Sequence, residues 1–182
     1  SQGEGGGISM GATYHVEIIN STIVDNNSQS DNGENIANVW GVDDDMTLTI
    51  TNSIIYDSQS DSWGFSPPAL PDSNLNISYS FSNNYSDTEG YGVGNLFGDP
   101  LFVDIDDYRL QWGSPCIDSG DPDLDGDGDY YTTDENDQDP DGTRMDMGAY
   151  YFDQTDLIPP TVTISNLSST NIGTDDVLTI SW

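Results

Sequence analysis

An internal repeat constrains the fold of this chain more than any other feature of its sequence. Residues 16–26 (VEIINSTIVDN) align without a gap with residues 48–58 (LTITNSIIYDS), at a spacing of 32 residues. A weaker third copy at residues 75–84 (LNISYSFSNN) follows 27 residues after the second. Repeats of this length are typical of solenoids, in which each repeat buries its apolar face by stacking on the next.

The pattern inside each copy indicates strands and a corner. The first part alternates apolar and polar residues, as at Val16 and Ile18, which predicts a strand with one buried face. A polar pair follows, Asn20 and Ser21 in the first copy, and then a second short apolar run. Strand, polar corner and strand favour a parallel β-solenoid, because a β-sandwich built from hairpins gives no reason for a repeated corner. No stretch has a strong amphipathic helix pattern, so we expect an all-β chain.

In a parallel solenoid, equivalent residues of successive coils lie on top of one another. We therefore expect Ile18, Ile50 and Ile77 to form an aliphatic stack. By the same argument we expect Asn20 to lie over Asn52 in a ladder of side-chain amides.

The charge of the chain excludes several classes of partner. Its 182 residues include 33 acidic side chains and two basic ones, Arg109 and Arg144, for a net charge of −31. Such a surface repels nucleic acid and anionic membranes, because binding to phosphate requires cationic side chains. No apolar stretch is long enough to span a bilayer, so membrane insertion is not expected. The acidity suggests an extracellular or cell-surface location, where salt and bound cations offset the repulsion.

The single cysteine, Cys116, excludes an internal disulfide and is predicted to be a small buried thiol.

Residues 121–142 (DPDLDGDGDYYTTDENDQDPDG) concentrate much of the acidity and predict a calcium site. Three aspartates stand at positions 1, 3 and 5 of an EF-type loop, with Gly128 at position 6 and another aspartate at position 12. Calcium prefers six to eight oxygen ligands, which short carboxylates supply when a glycine allows a sharp turn. The predicted ligands are Asp123, Asp125, Asp127, Asp134 and the backbone carbonyl of Asp129. The twelfth residue leaves the last ligand open, because EF-type loops usually have a glutamate there and Glu135 comes one position later.

A second half-pattern predicts a weaker site formed by Asp137, Asp139, Asp141 and Asp146. The competing interpretation of the whole stretch is a solvated acidic linker, the usual meaning of a run of like charges. Two occurrences of the D-x-D-x-D-G spacing favour bound calcium over the linker.

Several motifs also resemble known proteins. The stretches GGGISM and NSTIVDNNS resemble the coils of right-handed parallel β-helix proteins, including the pectate-lyase-like superfamily. Residues 98–123 (GDPLFVDIDDYRLQWGSPCIDSGDPD) and 141–152 (DGTRMDMGAYYF) resemble the C-terminal end of β-helix domains of the choice-of-anchor type in large bacterial surface proteins. One departure is Tyr151, which stands where that family usually has a glutamate after Gly-Ala-Tyr. The acidic loops resemble the calcium repeats of dockerins and thrombospondin-type modules.

The resemblance implies a right-handed parallel β-helix of about three or four coils and a division of the chain into three parts. Residues 1–120 are expected to form the coils, and residues 121–153 the acidic calcium-binding loops with a terminal strand or cap over the open end. Residues 154–182 resemble a linker and the first strands of an Ig-like or fibronectin-like β module. About 25 residues cannot complete such a sandwich, so this part is either a truncated domain or pairs with another surface. We expect the chain to be a piece of a longer protein.

The expected function is that of a non-catalytic structural or adhesive module of a secreted or cell-surface bacterial protein. Calcium is its expected cofactor, and glycans, matrix or neighbouring copies and domains are candidate partners. The alternative is a fragment of a carbohydrate-active enzyme, a polysaccharide lyase or glycoside hydrolase, since the fold permits one without implying it. No catalytic residue is assigned, because the two arginines lie outside the repeats and the run Asp43–Asp45 is equally typical of an exposed turn.

Overall fold

The computed structural model describes residues 7–10, 15–26, 35–38, 47–58, 65–66, 74–83 and 90–155, and in these residues it confirms the all-β class. The described part has twelve strands and a short 3-10 helix at Glu135–Asp137. The strands are β1 (Ile8–Met10), β2 (His15–Ile19), β3 (Thr22–Val24), β4 (Ile36–Asn38), β5 (Thr47–Thr51), β6 (Ile54–Tyr56), β7 (Phe65–Ser66), β8 (Leu75–Ser78), β9 (Phe81–Ser82), β10 (Leu96–Phe97), β11 (Phe102–Asp104) and β12 (Asp107–Leu110). No helix in these ranges has the length and apolar character needed to cross a membrane.

The first ten strands form three parallel sheets, β1-β4-β7, β2-β5-β8 and β3-β6-β9-β10. Each of β1 to β6 pairs with the strand three places later in the chain, and β9 pairs with β10. Successive triplets of strands (β1–β3, β4–β6 and β7–β9) therefore stack on one another, and β10 adds a fourth layer to one sheet.

The register of these sheets follows the sequence repeat. Ile18 pairs with Ile50, and Ile50 pairs with Ile77, at the spacings of 32 and 27 residues found in the sequence. All three side chains are buried, which confirms the expected aliphatic stack. They belong to an inner core enclosed by the three sheets, whose buried members are Met10, Ile18, Ile36, Leu48, Ile50, Ile55, Leu75 and Ile77.

Each triplet turns at a corner whose backbone has a positive φ. Asn20 (48°), Asn52 (51°) and Tyr79 (48°) occupy equivalent places after β2, β5 and β8. This left-handed conformation is unfavourable for most L-residues, and asparagine is one of the few that tolerate it well. The repeated asparagine is therefore explained by backbone geometry.

The corners are connected by serines, and the expected amide ladder is replaced. The backbone N–H of Ser21 donates to Ser53 Oγ (3.1 Å), and the N–H of Ser53 donates to Ser80 Oγ (3.2 Å). The two asparagine amides do not bond to each other in the described structure. Asn20 and Asn52 both direct Nδ2 to the sulfur of Met145, each at 3.9 Å.

After β10 the chain leaves the parallel sheets and folds back over one of them. Strands β11 and β12 form an antiparallel hairpin, and the chain then continues without long strands to residue 155. We call residues 99–155 the covering segment. It packs on the outer face of the β3-β6-β9-β10 sheet and creates an outer core, whose buried members are Ile54, Phe81, Leu110, Cys116 and Met147.

Strand β6 shows why this sheet needs a cover. Ile55 lies in the inner core, and its neighbour Ile54 points to the other face, into the outer core. Both are fully buried, because a strand with apolar residues on both faces has to be covered on both. Cys116 is buried in the outer core as predicted, and burial raises the pKa of its thiol to about 12.

Two expectations about this region are corrected. Parallel pairing ends at Phe97, so residues 99–120 belong to the covering segment and not to the coils.

The DMGAYYF stretch forms no strand and lies beside the corners instead of over an open end. The N–H of Gly148 donates to the Asn52 carbonyl (2.7 Å), and the N–H of Ala149 donates to Thr22 Oγ1 (2.9 Å). A Cβ on Gly148 would lie 2.8 Å from the side chain of Ile54, at a φ of 101°, so only glycine fits. Of the predicted linker and Ig-like segment (residues 154–182), residues 156–182 lie outside the described residues, as do Asp43–Asp45.

The isoleucine stack provides a test of the inner core. We expect Ile50→Ala to lower the free energy of unfolding by about 2–5 kcal/mol, because it leaves a cavity between two packed neighbours. Ile19→Ala is the matched control, since Ile19 is 46% exposed in the neighbouring strand and should change stability by about 0.5 kcal/mol or less. Urea unfolding followed by circular dichroism measures both, and equal losses would contradict the assigned register.

Candidate metal centre

Five aspartates of the covering segment come together in two overlapping groups. Asp123, Asp125 and Asp127 form the first group, and Asp125, Asp134 and Asp137 form the second. In each group one carboxylate oxygen per residue lies within 4.8 Å of the others. All four carboxylates predicted for the first calcium site are therefore in one cluster, and Asp125 belongs to both groups. We call these five residues the aspartate cluster.

The loop is shaped by its own carboxylates and glycines. Asp123 Oδ1 accepts the N–H of Gly128 (3.3 Å), and Asp125 Oδ1 accepts the N–H of Asp127 (3.2 Å). Gly126 and Gly128 have φ values of 73° and 93°, which bend the chain between the aspartates. Aspartates that bond to backbone groups a few residues later are typical of tight turns. The alternating sequence D-x-D-x-D thus turns its carboxylates toward a common point.

Asp137 is the member of the cluster that was predicted for the other site. It is completely buried, and its Oδ1 accepts the N–H of Leu124 (2.7 Å). Its Oδ2 is also buried and has no hydrogen-bond partner. A buried carboxylate oxygen without a partner is costly, and such groups are rare in folded proteins. A cation bound by the cluster would provide the missing partner.

The 3-10 helix explains how Asp137 reaches the cluster. Asp134 caps this helix, with its Oδ1 accepting the N–H of Asn136 (2.9 Å), and Asp137 is its last residue. Residues three apart lie on the same side of a 3-10 helix, so the D-x-x-D spacing places both carboxylates together. That spacing is the sequence signal that would have assigned Asp137 to the first site.

Asp129, predicted to contribute its backbone carbonyl, lies in the same loop. Its N–H donates to Asp127 Oδ1 (2.8 Å), and its own carboxylate is exposed and belongs to neither group. The carboxylate of Asp129 is therefore not needed for the cluster.

The residues of the second predicted site have a different arrangement. Within the described residues, Asp139, Asp141 and Asp146 form no group of converging oxygens, and each accepts backbone N–H groups instead. Asp146 accepts from Asp118 (2.7 Å) and Phe152 (2.6 Å), and Asp139 accepts from Asp146 (2.8 Å). These bonds hold the last part of the covering segment together.

Burial makes two of these carboxylates, Asp139 and Asp146, hard to ionise. Burial, followed by the charge of Asp146, raises the pKa of Asp139 to about 7. Burial also raises the pKa of Asp146 to about 6, with the charges of Asp118 and Asp141 adding to it. Nearby, Asp118 Oδ2 accepts from the side chain of Gln154 (2.8 Å), and the buried Asp118 Oδ1 has no partner. Asp139 and Asp146 therefore keep their protons to a higher pH than an ordinary aspartate does.

The basic residues and the histidine have partners away from the aspartate cluster. Arg109 forms a salt bridge with Asp107 (2.5 Å), and the hydrogen bond from Arg109 lowers the pKa of Asp107 to about 2. Arg144 donates to the Gly120 carbonyl (2.6 Å) and lies 5.6 Å from the ring centroid of Tyr79. His15 is exposed on β2 and hydrogen bonds to Thr47 (2.7 Å).

We compared the chain with protein-family models, with curated proteins and with solved structures, and none of the three comparisons found a match. The interpretation of the aspartate cluster therefore depends on its own geometry and charge.

The raised pKa values predict a pH dependence of stability in the presence of a chelator. The folded protein keeps protons on Asp139 and Asp146 that the unfolded chain releases near pH 4. Stability from these groups is therefore complete below about pH 4 and is lost as pH rises through about 6 to 7. Melting temperature should fall over this range, and Asp139→Asn, which keeps the acceptor oxygen, should flatten the fall. Asp106→Asn at an exposed position of the hairpin is the control, and an equal flattening by both variants would contradict the assignment.

Proposed function

We propose that this chain is a calcium-stabilised, non-catalytic structural module of a longer secreted or cell-surface bacterial protein. The observation that carries the proposal is the buried, partnerless Oδ2 of Asp137 within a cluster of five aspartates. The chain contains no lysine, and both arginines are engaged elsewhere, so no side-chain cation neutralises the cluster. A bound divalent ion is the simplest way to compensate it.

Calcium fits this cluster better than other common ions. The ligands are all hard carboxylate oxygens, without the histidine or cysteine that zinc and other transition metals prefer. Magnesium requires near-ideal octahedral geometry, whereas calcium accepts a larger and less regular set of oxygens. Extracellular calcium modules bind with dissociation constants of roughly 10⁻⁴ to 10⁻³ M, so a site of this class fills outside cells and empties inside them.

The scaffold proposed for this module is the C-terminal part of a right-handed parallel β-helix. Three parallel sheets, in which strands pair with those three places later, support the β-helix. Its handedness and the choice-of-anchor family are inferred from the sequence motifs. We further propose that residues 154–182 begin an Ig-like module.

Calcium would act on this scaffold through the covering segment. The N–H groups of Leu124 and Asp125 donate to Asp137 Oδ1. An ion bound by Asp137 would therefore hold the loop of residues 121–137 in one conformation. The N–H of Asp121 donates to Asn52 Oδ1 (2.5 Å), which joins the start of this loop to a corner of the parallel sheets. Occupancy of the site thus stabilises the cover of the outer core. The resulting stiff element is suited to a stalk or adhesive spacer, with glycans, matrix or neighbouring copies as proposed partners.

A calcium titration tests the proposal. We expect the melting temperature to rise with calcium at millimolar concentration, far more than with magnesium or with sodium chloride of equal ionic strength. Binding to the folded state alone gives about 1.4 kcal/mol of added stability at a calcium concentration ten times the dissociation constant. Scanning calorimetry and near-UV circular dichroism measure the effect. Equal responses to calcium and magnesium would contradict the proposal and support a solvated acidic run.

Two variants locate the site. Asp137→Asn should weaken calcium binding about tenfold or more, because it removes the charge of the buried ligand. Glu135→Gln removes the same charge two residues away, outside the cluster, and should leave calcium binding nearly unchanged. Isothermal titration calorimetry compares the two, and similar losses would mean that calcium responds only to the total charge. Turnover of a polysaccharide by the purified chain would favour the enzyme alternative.

A further inference from the structure

A pocket lies at the junction of the parallel sheets and the β11–β12 hairpin, away from the residues of the aspartate cluster. Its volume is about 290 Å³, near the lower end of the range for small-molecule sites, ~300–1,000 Å³. One side is formed by the ends of β3 and β6, and the other side by the hairpin. The lining combines aromatic rings with carboxylates and includes neither of the two arginines.

Three aromatic rings form the apolar part of this pocket. The Phe102 ring contacts both Tyr56 and Tyr108, with ring centroids 6.2 Å and 5.4 Å away. Both tyrosine rings stand nearly perpendicular to it, at 79° and 75°. All three line the same pocket and are only half-buried, so part of each ring remains available to a ligand. We call the pocket lined by these three rings the aromatic pocket.

Three aspartates line the same pocket, and hydrogen bonds fix the positions of their carboxylates. Both oxygens of Asp25 accept hydrogen bonds from Ser58 (2.6 and 2.8 Å). Asp99 and Asp104 each accept a backbone N–H through Oδ1 (both 2.8 Å). These bonds hold the carboxylates at the pocket without any cationic side chain beside them. The negative field reaches the rings, since burial and then the charges of Asp99, Asp25 and Asp57 raise the pKa of Tyr56.

The carboxylates of this pocket are not arranged for a divalent metal. The oxygens of Asp25, Asp99 and Asp104 do not converge as those of the aspartate cluster do. Their charge is spread around an aromatic lining, which matches a large cation of low charge density. A methylated ammonium group has that character, because its positive charge is distributed over methyl groups that pack against ring faces.

We propose that the aromatic pocket binds a quaternary ammonium group, the trimethylammonium of a small molecule or of a lipid headgroup. Tyr56, Phe102 and Tyr108 contact the methyl groups through cation–π interactions, and Asp25, Asp99 and Asp104 supply the opposite charge. The site is independent of the calcium proposal and remains if the aspartate cluster binds no metal.

Binding of choline to the full chain tests the site, with 3,3-dimethylbutanol as its uncharged counterpart of nearly equal shape. The titrations are followed by aromatic NMR signals in saturating calcium, so that the aspartate cluster is in one state throughout. We expect saturable choline binding that shifts the signals of the three rings, and binding of the neutral alcohol about tenfold weaker or more. Equal binding of the two compounds, or no saturable binding of choline, would overturn the proposal. This comparison uses the unaltered protein and does not depend on any variant folding.

Variants assign the contacts. Tyr108→Leu should weaken choline binding about tenfold, the effect of losing one desolvated cation–π contact, while Tyr150→Leu outside the pocket should not. Asp104→Asn should weaken binding severalfold, and Asp106→Asn, with the same change in net charge two residues away, should have little effect. Equal losses from Asp104→Asn and Asp106→Asn would show a diffuse charge effect and overturn the site.

Vesicles of phosphatidylcholine then distinguish the two sources of the group. Sedimentation of the protein with these vesicles, reversed by free choline, would assign the lipid headgroup. Choline binding without sedimentation would assign the soluble amine.

Discussion

Repulsion between carboxylates is the constraint on which the rest of this structure depends. The outer face of the β3-β6-β9-β10 sheet is apolar and has to be covered, yet the segment that covers it is the most acidic part of the chain. Its like charges favour an open chain, whereas the outer core requires a closed one. Backbone N–H groups compensate some of the carboxylates, and Asp137 Oδ2 and Asp118 Oδ1 remain buried without partners. The proposed calcium ion would compensate the first of these and so keep the cover in place.

The parallel part and the covering segment depend on each other through a few specific contacts. Met145 lies against Asn20 and Asn52 at two successive corners, and Gly148 fits against Ile54. The outer core formed there includes Cys116 and Met147, which are both fully buried. A change in the acidic loop can therefore affect the sheets, although the loop itself contributes little to either core.

The sequence predicted the stacked part of the fold well, for a physical reason. Parallel strands of successive triplets pair residue by residue. A gapless repeat at a spacing of 32 residues therefore predicts directly that Ile18 pairs with Ile50. The outer core was missed, although the adjacent apolar residues Ile54 and Ile55 signalled a strand buried on both faces. The partner of Asn20 could not have been found by pattern, since Met145 lies 125 residues away in sequence.

The candidate site was predicted in part for similar reasons. Alternating aspartates with a glycine specify a local turn, so the grouping of Asp123, Asp125 and Asp127 follows from nearby residues alone. Asp137 depends on a 3-10 helix that D-x-D spacing does not reveal, and the sequence assigned it to the wrong group. The aromatic pocket joins residues from distant strands, such as Tyr56 and Tyr108, which no local pattern connects.

Anomalous X-ray scattering from crystals grown with calcium is the most direct test of the central claim. We predict a calcium peak at about 2.3–2.6 Å from Asp137 Oδ2, with oxygens of Asp125 and Asp134 in the same coordination shell. An ordered water molecule on Asp137 Oδ2, with no calcium peak at the aspartate cluster, would contradict the claim.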